Sequence, residues 1–206
     1  MDTMRRLVWG SRGAIAAASM MALPAMAAFE LVVTVDVAHA QGPVDRFYDL
    51  SVGSDYPGTL MRADSQAQLK TATDELGFRY LRFHAIFHDV LKTVRVENGR
   101  TVYDWTGIDR LYDDMLRRHI KPFVELGFTP QALKTSDLSI FYWKGNTSHP
   151  RLDGWAALID AFARHVQQRY GKAEVQSWYF EVWNEPNLDG FWEKADKPAY
   201  FELYDV

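Results

Sequence analysis

Cysteine is absent from the 206 residues of this sequence. Its absence excludes disulfide bonds, thiol catalysis and metal sites with cysteine ligands. An excess of basic charge is also absent, because the formal net charge is −4 and the pI is about 5.9. Proteins that bind nucleic acid usually gather Lys and Arg on one face, so we expect no nucleic acid partner. The residues that are present, 48% of them hydrophobic, favour a packed globular core.

The first 40 residues have the layout of a secretory leader. Three arginines precede an apolar stretch from Ala14 to Ala28, and cleavage is possible after residues 25–27 or 38–40. We prefer the second site, because the residues between the two are still largely apolar; the mature chain would begin at Gln41. An uncleaved anchor is the alternative, but proline and acidic residues interrupt the apolar span that a transmembrane helix needs. We therefore expect a secreted or periplasmic protein with no stable membrane association after removal of the leader.

After the leader, short apolar segments alternate with longer stretches of helical periodicity. This alternation is typical of repeated strand–helix units around a parallel sheet. Strands are predicted at residues 47–52, 78–83, 122–127 and 178–183. Helices are predicted from a capping-box pair, Ser65 and Gln68, to Gly77; after Asp104; over about 155–171; and from about Lys197. A small hairpin is predicted around residues 97–100.

Two of the predicted helices carry an apolar stripe at helical spacing. In the helix after Asp104 the stripe consists of Ile108, Leu111, Tyr112, Met115 and Leu116. In the next helix it consists of Trp155, Leu158, Ile159, Phe162 and Val166. We expect both stripes to be buried.

Four strand–helix units are half of a (β/α)8 barrel, a fold that typically needs about 250 residues. About 165 residues remain once the leader is removed. The sequence therefore predicts an α/β fold, a TIM barrel, with residues 1–40 as a leader and residues 41–206 as the truncated N-terminal part of the barrel. An open doubly wound sheet is the alternative, but its nucleotide signature, a Gly-x-Gly-x-x-Gly or Walker-type loop, is missing.

Polar and aromatic residues follow the predicted strands. In a barrel of this kind the reactive residues cluster at the carboxyl ends of the strands. Those ends lead into residues 53–56, His84 with His88 and Asp89, residues 128–129, and Asn184 with Glu185. Carboxyl, amide, imidazole and aromatic groups together suit a polyhydroxylated ligand and no particular redox cofactor.

Glu185 is the candidate proton donor among these residues. Pro186 disfavours helical geometry in the residue before it, so we expect Glu185 to be held extended at the strand terminus. Strand alternation puts Asn184 on the opposite face, unless the strand is distorted near the proline. Glycosidic cleavage generally uses two carboxylates, about 5 to 5.5 Å apart when configuration is retained. Glu181 lies about 13 Å back along the same face, too far to serve as the second one.

Two other polar sets have mainly structural interpretations. Glu125 lies inside the third predicted strand, and we expect a buried ion pair with Arg79 or Arg82 from the neighbouring strand. His88 and Asp89 suggest metal binding, but no third ligand stands at helical or strand spacing. We therefore expect no metal and no cofactor.

The long loop after the third strand contains two further features. Its aromatic residues 141–143 either wall a sugar site or form a satellite cluster that covers the barrel rim. Residues 146–148, Asn-Thr-Ser, fit the acceptor pattern for N-glycosylation.

Several segments, in order, resemble glycoside hydrolase family 39, the family of β-xylosidases and α-L-iduronidases. They are residues 79–84 (RYLRFH), 122–130 (PFVELGFTP), 141–146 (FYWKGN) and 180–188 (FEVWNEPNL), followed by Phe191-Trp192. The resemblance covers most of the chain from about residue 44 onward. An Asn-Glu-Pro triplet alone looks like many barrel glycosidases, whereas its combination with Phe-Tyr-Trp-x-Gly-Asn is much narrower.

The resemblance implies a role for three residues. Glu185 matches the acid/base, Asn184 the residue that hydrogen-bonds the sugar hydroxyl next to the reacting carbon, and His84 a residue that lines the glycone pocket. The family's nucleophile is a second glutamate near the end of a later strand, which we expect beyond the end of this chain. Phe83 and Ala85 depart from the pattern, because glycines often flank that histidine in the family.

The resemblance also implies a function, a retaining glycosidase that cleaves terminal β-linked xylose from an oligosaccharide or glycoside substrate. One alternative keeps the chemistry and changes the sugar, as in an α-L-iduronidase. A second alternative is a non-catalytic carbohydrate-binding protein built on half a barrel. The two classes differ in whether the protein turns sugar over.

Overall fold

The computed structural model describes residues 45–206 and, before them, residues 32–34, 36, 38, 39, 42 and 43. Contacts divide the chain into two units, Met1–Pro43 and Val44–Val206. In the first unit, the side chains of Val32 and Val33 are exposed. The apolar stretch of the predicted leader lies outside the described residues and stays a prediction. None of the helices in the described part of the chain has the length and apolarity that a membrane crossing requires.

The elements of the second unit alternate between strands and helices. Its strands are β1 (Ser51–Gly53), β2 (Tyr80–Phe83), β3 (Val94–Glu97), β4 (Arg100–Tyr103), β5 (Lys121–Glu125), β6 (Ser139–Ile140), β7 (Gly145–Asn146) and β8 (Tyr179–Glu181). Its α-helices are α1 (Pro57–Leu60), α2 (Ala63–Leu76), α3 (Thr106–Arg117), α4 (Leu152–Tyr170), α5 (Lys172–Val175) and α6 (Lys197–Tyr204). β3 and β4 pair antiparallel across Asn98-Gly99, which confirms the predicted hairpin.

β1, β2, β5 and β8 form one parallel sheet in that spatial order. Leu81 in β2 lies opposite Val52 in β1 and Pro122 in β5. Neighbours in the sheet follow one another along the chain with helices between them, so the sheet is built from consecutive strand–helix units, as predicted. The carboxyl ends of all four strands therefore lie along the same edge.

Helices α3 and α4 bury the apolar stripes predicted for them. The buried residues are Ile108, Leu111, Tyr112 and Met115 on α3, and Trp155, Leu158, Phe162 and Val166 on α4. Leu116 and Ile159 are only partly buried. The same core includes Leu81, Phe83 and Val124 from the sheet, so each helix turns one face inward.

Most strand boundaries differ from the prediction by one to four residues, as at the start of β1 and the end of β8. Phe47–Asp49 forms a 3-10 turn instead of the start of β1, and Arg46 Nε donates to Asp49 Oδ2 at 2.6 Å. β8 ends at Glu181, before Trp183, whose indole Nε1 donates to the carbonyl oxygen of Phe191 at 2.8 Å. In both places local side-chain contacts replace strand pairing at the end of an apolar run.

The start of α2 also differs from the prediction. Arg62 is the N-cap residue and makes no side-chain capping bond. Ser65 therefore lies inside the first turn, and the predicted capping box with Gln68 is wrong. Asp64 accepts the hydrogen bond from the amide of Ser65 instead, at 2.9 Å, and so satisfies one of the free amides of the first turn. Gly77 ends the helix with a φ of 76°, the left-handed conformation expected of a terminating glycine.

Candidate active site

Polar side chains from three strands meet at the carboxyl edge of the sheet. Arg82 lies near the end of β2, Glu125 ends β5 and Glu181 ends β8. His84 directly follows β2, and Asn184 lies in the loop after β8. Because the strands are parallel, side chains at their carboxyl ends can reach one another. These five residues are called the strand-end network.

Arg82 is the centre of the strand-end network. Its Nε and Nη2 atoms donate to the two carboxylate oxygens of Glu181, at 2.8 and 2.9 Å. Nη2 also donates to Asn184 Oδ1 at 2.8 Å and lies 2.9 Å from Glu125 Oε2. The ion pair predicted for Glu125 is therefore formed with Arg82. Burial lowers the pKa of Arg82, but the hydrogen bond to Glu181 and the surrounding negative charges outweigh it and leave that pKa raised.

Glu125 is the buried carboxylate of the network. Its side chain has no exposed surface, and its Oε2 lies 2.5 Å from His84 Nδ1. Burial raises the pKa of Glu125, and the hydrogen bond to His84 and the charge of Arg82 only partly offset that rise. Nε2 of His84 makes no hydrogen bond with any described residue, and 18% of the His84 side chain is exposed. The imidazole is thus anchored at one nitrogen and accessible at the other.

Glu185 takes a left-handed backbone conformation after the sheet has ended. Its φ is 48°, so the predicted extended conformation at the strand terminus is wrong. Pro186 disfavours the right-handed helical region for Glu185, and the chain reverses here, with Leu188 N donating to the Glu185 carbonyl oxygen at 3.0 Å. Strand alternation therefore does not apply to Asn184 and Glu185. The distortion that both residues need to reach one ligand is present.

The side chain of Glu185 is exposed and forms no hydrogen bond or ion pair with any described residue. It lies close enough to Arg82 for its charge to contribute to the raised pKa of that guanidinium. Glu181, in contrast, uses both carboxylate oxygens on Arg82. Glu185 is thus a carboxyl group beside the network that remains available to a ligand.

Aromatic rings surround the imidazole of His84. Trp143 is buried and stacks between Tyr56 and Phe141, with ring centroids 5.2 and 5.0 Å apart. Phe141 also stacks on His84 at 5.4 Å, and Phe128 meets the same imidazole edge-on at 6.0 Å. Trp143 therefore fits the interpretation of a satellite cluster that covers the barrel rim. Phe141 is partly exposed and faces the site, so it fits the interpretation of a wall of the sugar site.

Asp55, which follows β1, holds this aromatic loop in position. Its Oδ1 accepts a hydrogen bond from Trp143 Nε1 at 3.0 Å. Its Oδ2 accepts one from Thr59 Oγ1 at 2.7 Å and another from the hydroxyl of Tyr142. The backbone carbonyl of Asp55 also accepts from the amide of His84 at 2.9 Å. One residue thus connects the aromatic loop to the candidate histidine.

His88 and Asp89 serve the loops. His88 Nε2 lies 2.9 Å from the carbonyl oxygen of Trp143, and Nδ1 accepts a hydrogen bond from the amide of Val90 at 3.2 Å. Asp89 accepts from the amide of Gln131 at 3.1 Å. Both nitrogens of His88 are therefore engaged in holding neighbouring segments together.

The structure gives the side chain of Asn146 a structural role, and its glycosylation stays a prediction. Only 3% of Asn146 is exposed, and its Nδ2 donates to the carbonyl oxygen of Ser136 at 2.8 Å. Its Oδ1 accepts from both the amide and the hydroxyl of Ser148. The side chain of Asn146 thus holds this loop together by hydrogen bonds, which a glycan on Nδ2 would disturb.

Two contacts of the site were not anticipated from the sequence. The contact between His84 and Glu125 follows from the register of β2 and β5, in which Phe83 lies opposite Val124, so the next residues also meet. The bond from Trp143 to Asp55 joins residues far apart in the chain, and no pattern in the sequence signals it. Ala85 has a φ of 60°, which accounts for the glycine that the resemblance leads us to expect there.

Comparison with known proteins places this geometry in context. Residues 31–206 match the sequence profile of the family described as Glycosyl hydrolases family 39. A beta-xylosidase of Caldicellulosiruptor saccharolyticus is 40% identical over 174 residues, which is 84% of this chain and 36% of that protein. Human alpha-L-iduronidase is 30% identical over 186 residues, 84% of this chain and 27% of that protein.

Solved structures show the same likeness. The crystal structure of a monomeric beta-xylosidase from Caulobacter crescentus has 73% sequence identity and a TM-score of 0.78, over 82% of this chain and 34% of that one. Together with the parallel sheet, this likeness confirms the predicted fold class, an α/β fragment of a TIM barrel. The chain spans about a third of the length of the curated xylosidases it matches.

Proposed function

The chain belongs to family 39 of the glycosyl hydrolases, and from this membership we propose that it carries the acid/base side of the active site of a retaining β-xylosidase. The observation that carries the proposal is the exposed, unpaired carboxyl group of Glu185 beside a network in which the other carboxylates are paired. The proposed substrate is an oligosaccharide or glycoside that ends in β-linked xylose.

In this proposal Glu185 performs two proton transfers. It first protonates the leaving glycosidic oxygen, while a second carboxylate attacks the anomeric carbon and forms a glycosyl ester. It then removes a proton from the water that hydrolyses the ester. The second carboxylate is expected on a later strand, as the family resemblance implies.

Asn184 and His84 would bind the sugar hydroxyls. Arg82 binds Oδ1 of Asn184, so the amide Nδ2 remains as a donor to a ligand. Nε2 of His84 is accessible in the same region. Phe141 offers a ring on which a sugar face can stack, since 38% of its surface is exposed. Donor, acceptor and ring together match the polyhydroxylated ligand expected from the sequence.

The strand-end network also favours a neutral sugar over a uronic acid. An iduronidase must bind a glycone with its own carboxylate, which needs a cation that has not been neutralised. Arg82 already pairs with Glu125 and Glu181 and is therefore a poor partner for a third carboxylate. The higher identity to the xylosidases than to the iduronidases points the same way.

The test replaces Glu185 in the full-length protein. Glu185→Gln should lower kcat/KM about 100- to 10,000-fold for alkyl or sugar leaving groups, which need protonation, and much less for dinitrophenyl β-xyloside. Glu202→Gln, on the exposed face of α6, is the matched control and should leave both rates unchanged. The configuration of the first-formed xylose, followed by NMR, tests retention.

Three outcomes would contradict the proposal. Equal losses on both kinds of substrate would remove Glu185 from the acid role. An inverted first product would exclude the retaining mechanism. Binding of xylose or xylobiose without any turnover by the unmutated protein would favour the carbohydrate-binding alternative.

A further inference from the structure

The buried carboxylate of Glu125 is held on all sides. Oε2 lies 2.5 Å from His84 Nδ1 and 2.9 Å from Arg82 Nη2. Oε1 accepts a hydrogen bond from the amide of Ala85 at 3.4 Å. With contacts from a side chain on each side and from the backbone, the carboxylate cannot turn away from the imidazole.

These contacts determine which nitrogen of His84 carries the proton. An ionised carboxylate only accepts hydrogen bonds, so Nδ1 must be the protonated nitrogen at the 2.5 Å contact. Arg82 Nη1 also lies 3.4 Å from Nδ1, but an unprotonated Nδ1 bonded to Arg82 would face the Glu125 oxygen with no hydrogen between two acceptors. In the neutral imidazole the shorter contact therefore decides the tautomer, and Nε2 is left as an acceptor.

The orientation of the imidazole is fixed as well. Phe141 stacks on one face of His84, with ring planes 29° apart, and Phe128 contacts it edge-on at an angle of 67°. The ring cannot flip without breaking the bond to Glu125. Nε2 therefore points in a fixed direction and acts as a hydrogen-bond acceptor.

We propose that Glu125 is a positioning residue that holds His84 in the tautomer with hydrogen on Nδ1, so that Nε2 accepts a hydrogen bond from a sugar hydroxyl. The sugar part rests on the proposed function, whereas the tautomer does not. Glu125 acts through His84 and does not itself touch the ligand. Its burial is then part of substrate recognition and not only of an ion pair with Arg82.

Nitrogen-15 NMR of histidine-labelled full-length protein, without ligand, tests the tautomer directly. His84 is assigned by comparison with His84→Gln. We expect a protonated Nδ1 and a bare Nε2. His165 is an internal control of opposite sense, because its Nε2 lies 2.6 Å from Asp109 Oδ1 and should be the protonated nitrogen. A protonated Nε2 and bare Nδ1 on His84 would overturn the proposal, whether or not any variant folds.

Two variants separate positioning from packing. Glu125→Met removes the acceptor at similar size and should shift His84 toward the Nε2–H tautomer and raise KM for aryl β-xylosides about tenfold, with little change in kcat. Glu125→Gln keeps an oxygen acceptor and should largely restore both. If Glu125→Met leaves the tautomer and KM unchanged, the positioning role is refuted. If the tautomer is as expected and the unmutated protein has no xylosidase activity, the proposed function fails alone.

Discussion

Two networks in this molecule are built from the same residue types, and only one lies where strands end. The strand-end network joins Arg82, His84, Glu125 and Glu181 with Asn184. The second, here called the helix-seam network, joins α3 and α4 through Asp109, Asp113, His165, Arg169 and Tyr170. Each contains an arginine with two hydrogen bonds to one carboxylate and a histidine that contacts another carboxylate.

The contacts themselves barely distinguish the two networks. His84 lies 2.5 Å from Glu125, and His165 lies 2.6 Å from Asp109. Burial does distinguish them at the carboxylate that contacts the histidine, since the Glu125 side chain is 0% exposed and that of Asp109 is 17% exposed. Position is the other difference, because the helix seam lies away from the strand ends. Residue types and distances alone therefore do not separate the two networks, whereas burial at the carboxyl ends of parallel strands favours the strand-end network as the candidate site.

Replacement of Arg82 and of Arg169 should give the largest difference in unfolding free energy between the two networks. Arg82→Ala leaves Glu125 buried without this cation, and loss of one partner from a buried pair costs about 3–5 kcal/mol. Because 23% of the Arg82 side chain is exposed, we expect the lower end, about 3 kcal/mol of unfolding free energy. Arg169→Ala breaks a pair with side chains 40% and 36% exposed, and we expect about 1 kcal/mol or less.

Urea unfolding of the full-length protein measures both losses. Arg110→Ala, at an exposed position of α3, is the control and should change the midpoint little. Similar losses for Arg82→Ala and Arg169→Ala would mean that burial does not separate the networks. The comparison would then rest on position in the fold alone.

Much of this fold could be predicted because helical and strand periodicity are local properties of the sequence. The stripes of α3 and α4 and the order of the strands follow from them. The start of β1 could not be predicted in the same way, because residues 47–49 form a 3-10 turn beside a contact between Arg46 and Asp49. Element boundaries depend on such single contacts, which composition does not reveal.

The site was predictable to the extent that it follows strand register. Neighbouring strands bring Arg82 beside Glu125, and this pair was anticipated. The left-handed backbone of Glu185 was not, because the rule for residues before proline favours extended geometry, and the chain reversal at this residue overrides it. The bond from Trp143 to Asp55 depends on a long loop, whose path no local rule determines.

The pH dependence of stability should have opposite signs in the two networks. The pKa of Glu125 is raised from its ordinary value of 4.5, mainly by burial. Its contribution to stability is therefore complete below about pH 4.5 and is lost as the pH rises through the raised pKa. The pKa of Asp113 is lowered from 3.8, mainly by its hydrogen bond with Arg169. Its contribution is present above about pH 3.8 and is lost as the pH falls through the lowered pKa.

Each pH dependence is measured as the difference in unfolding free energy between the unmutated protein and one variant, Glu125→Gln or Asp113→Asn. With rising pH the stability of the unmutated protein relative to Glu125→Gln should fall, and its stability relative to Asp113→Asn should rise. Glu202→Gln reports the change common to all exposed carboxylates. The same sign for both variants would show that the charges around Glu125 outweigh its burial.

The smallest expected effect concerns a hydroxyl beneath the helix seam. The Tyr112 hydroxyl is buried without a hydrogen-bond partner among the described residues, whereas the neighbouring Tyr170 hydroxyl donates to Asp113 at 3.0 Å. Since an unpaired buried polar group costs free energy, Tyr112→Phe should raise the unfolding free energy by about 1 kcal/mol. Tyr170→Phe should lower it by a similar amount, about 1 kcal/mol. Urea midpoints that move in the same direction would show that the Tyr112 hydroxyl has a partner in solution, and the helix seam would then be as fully bonded as the strand-end network.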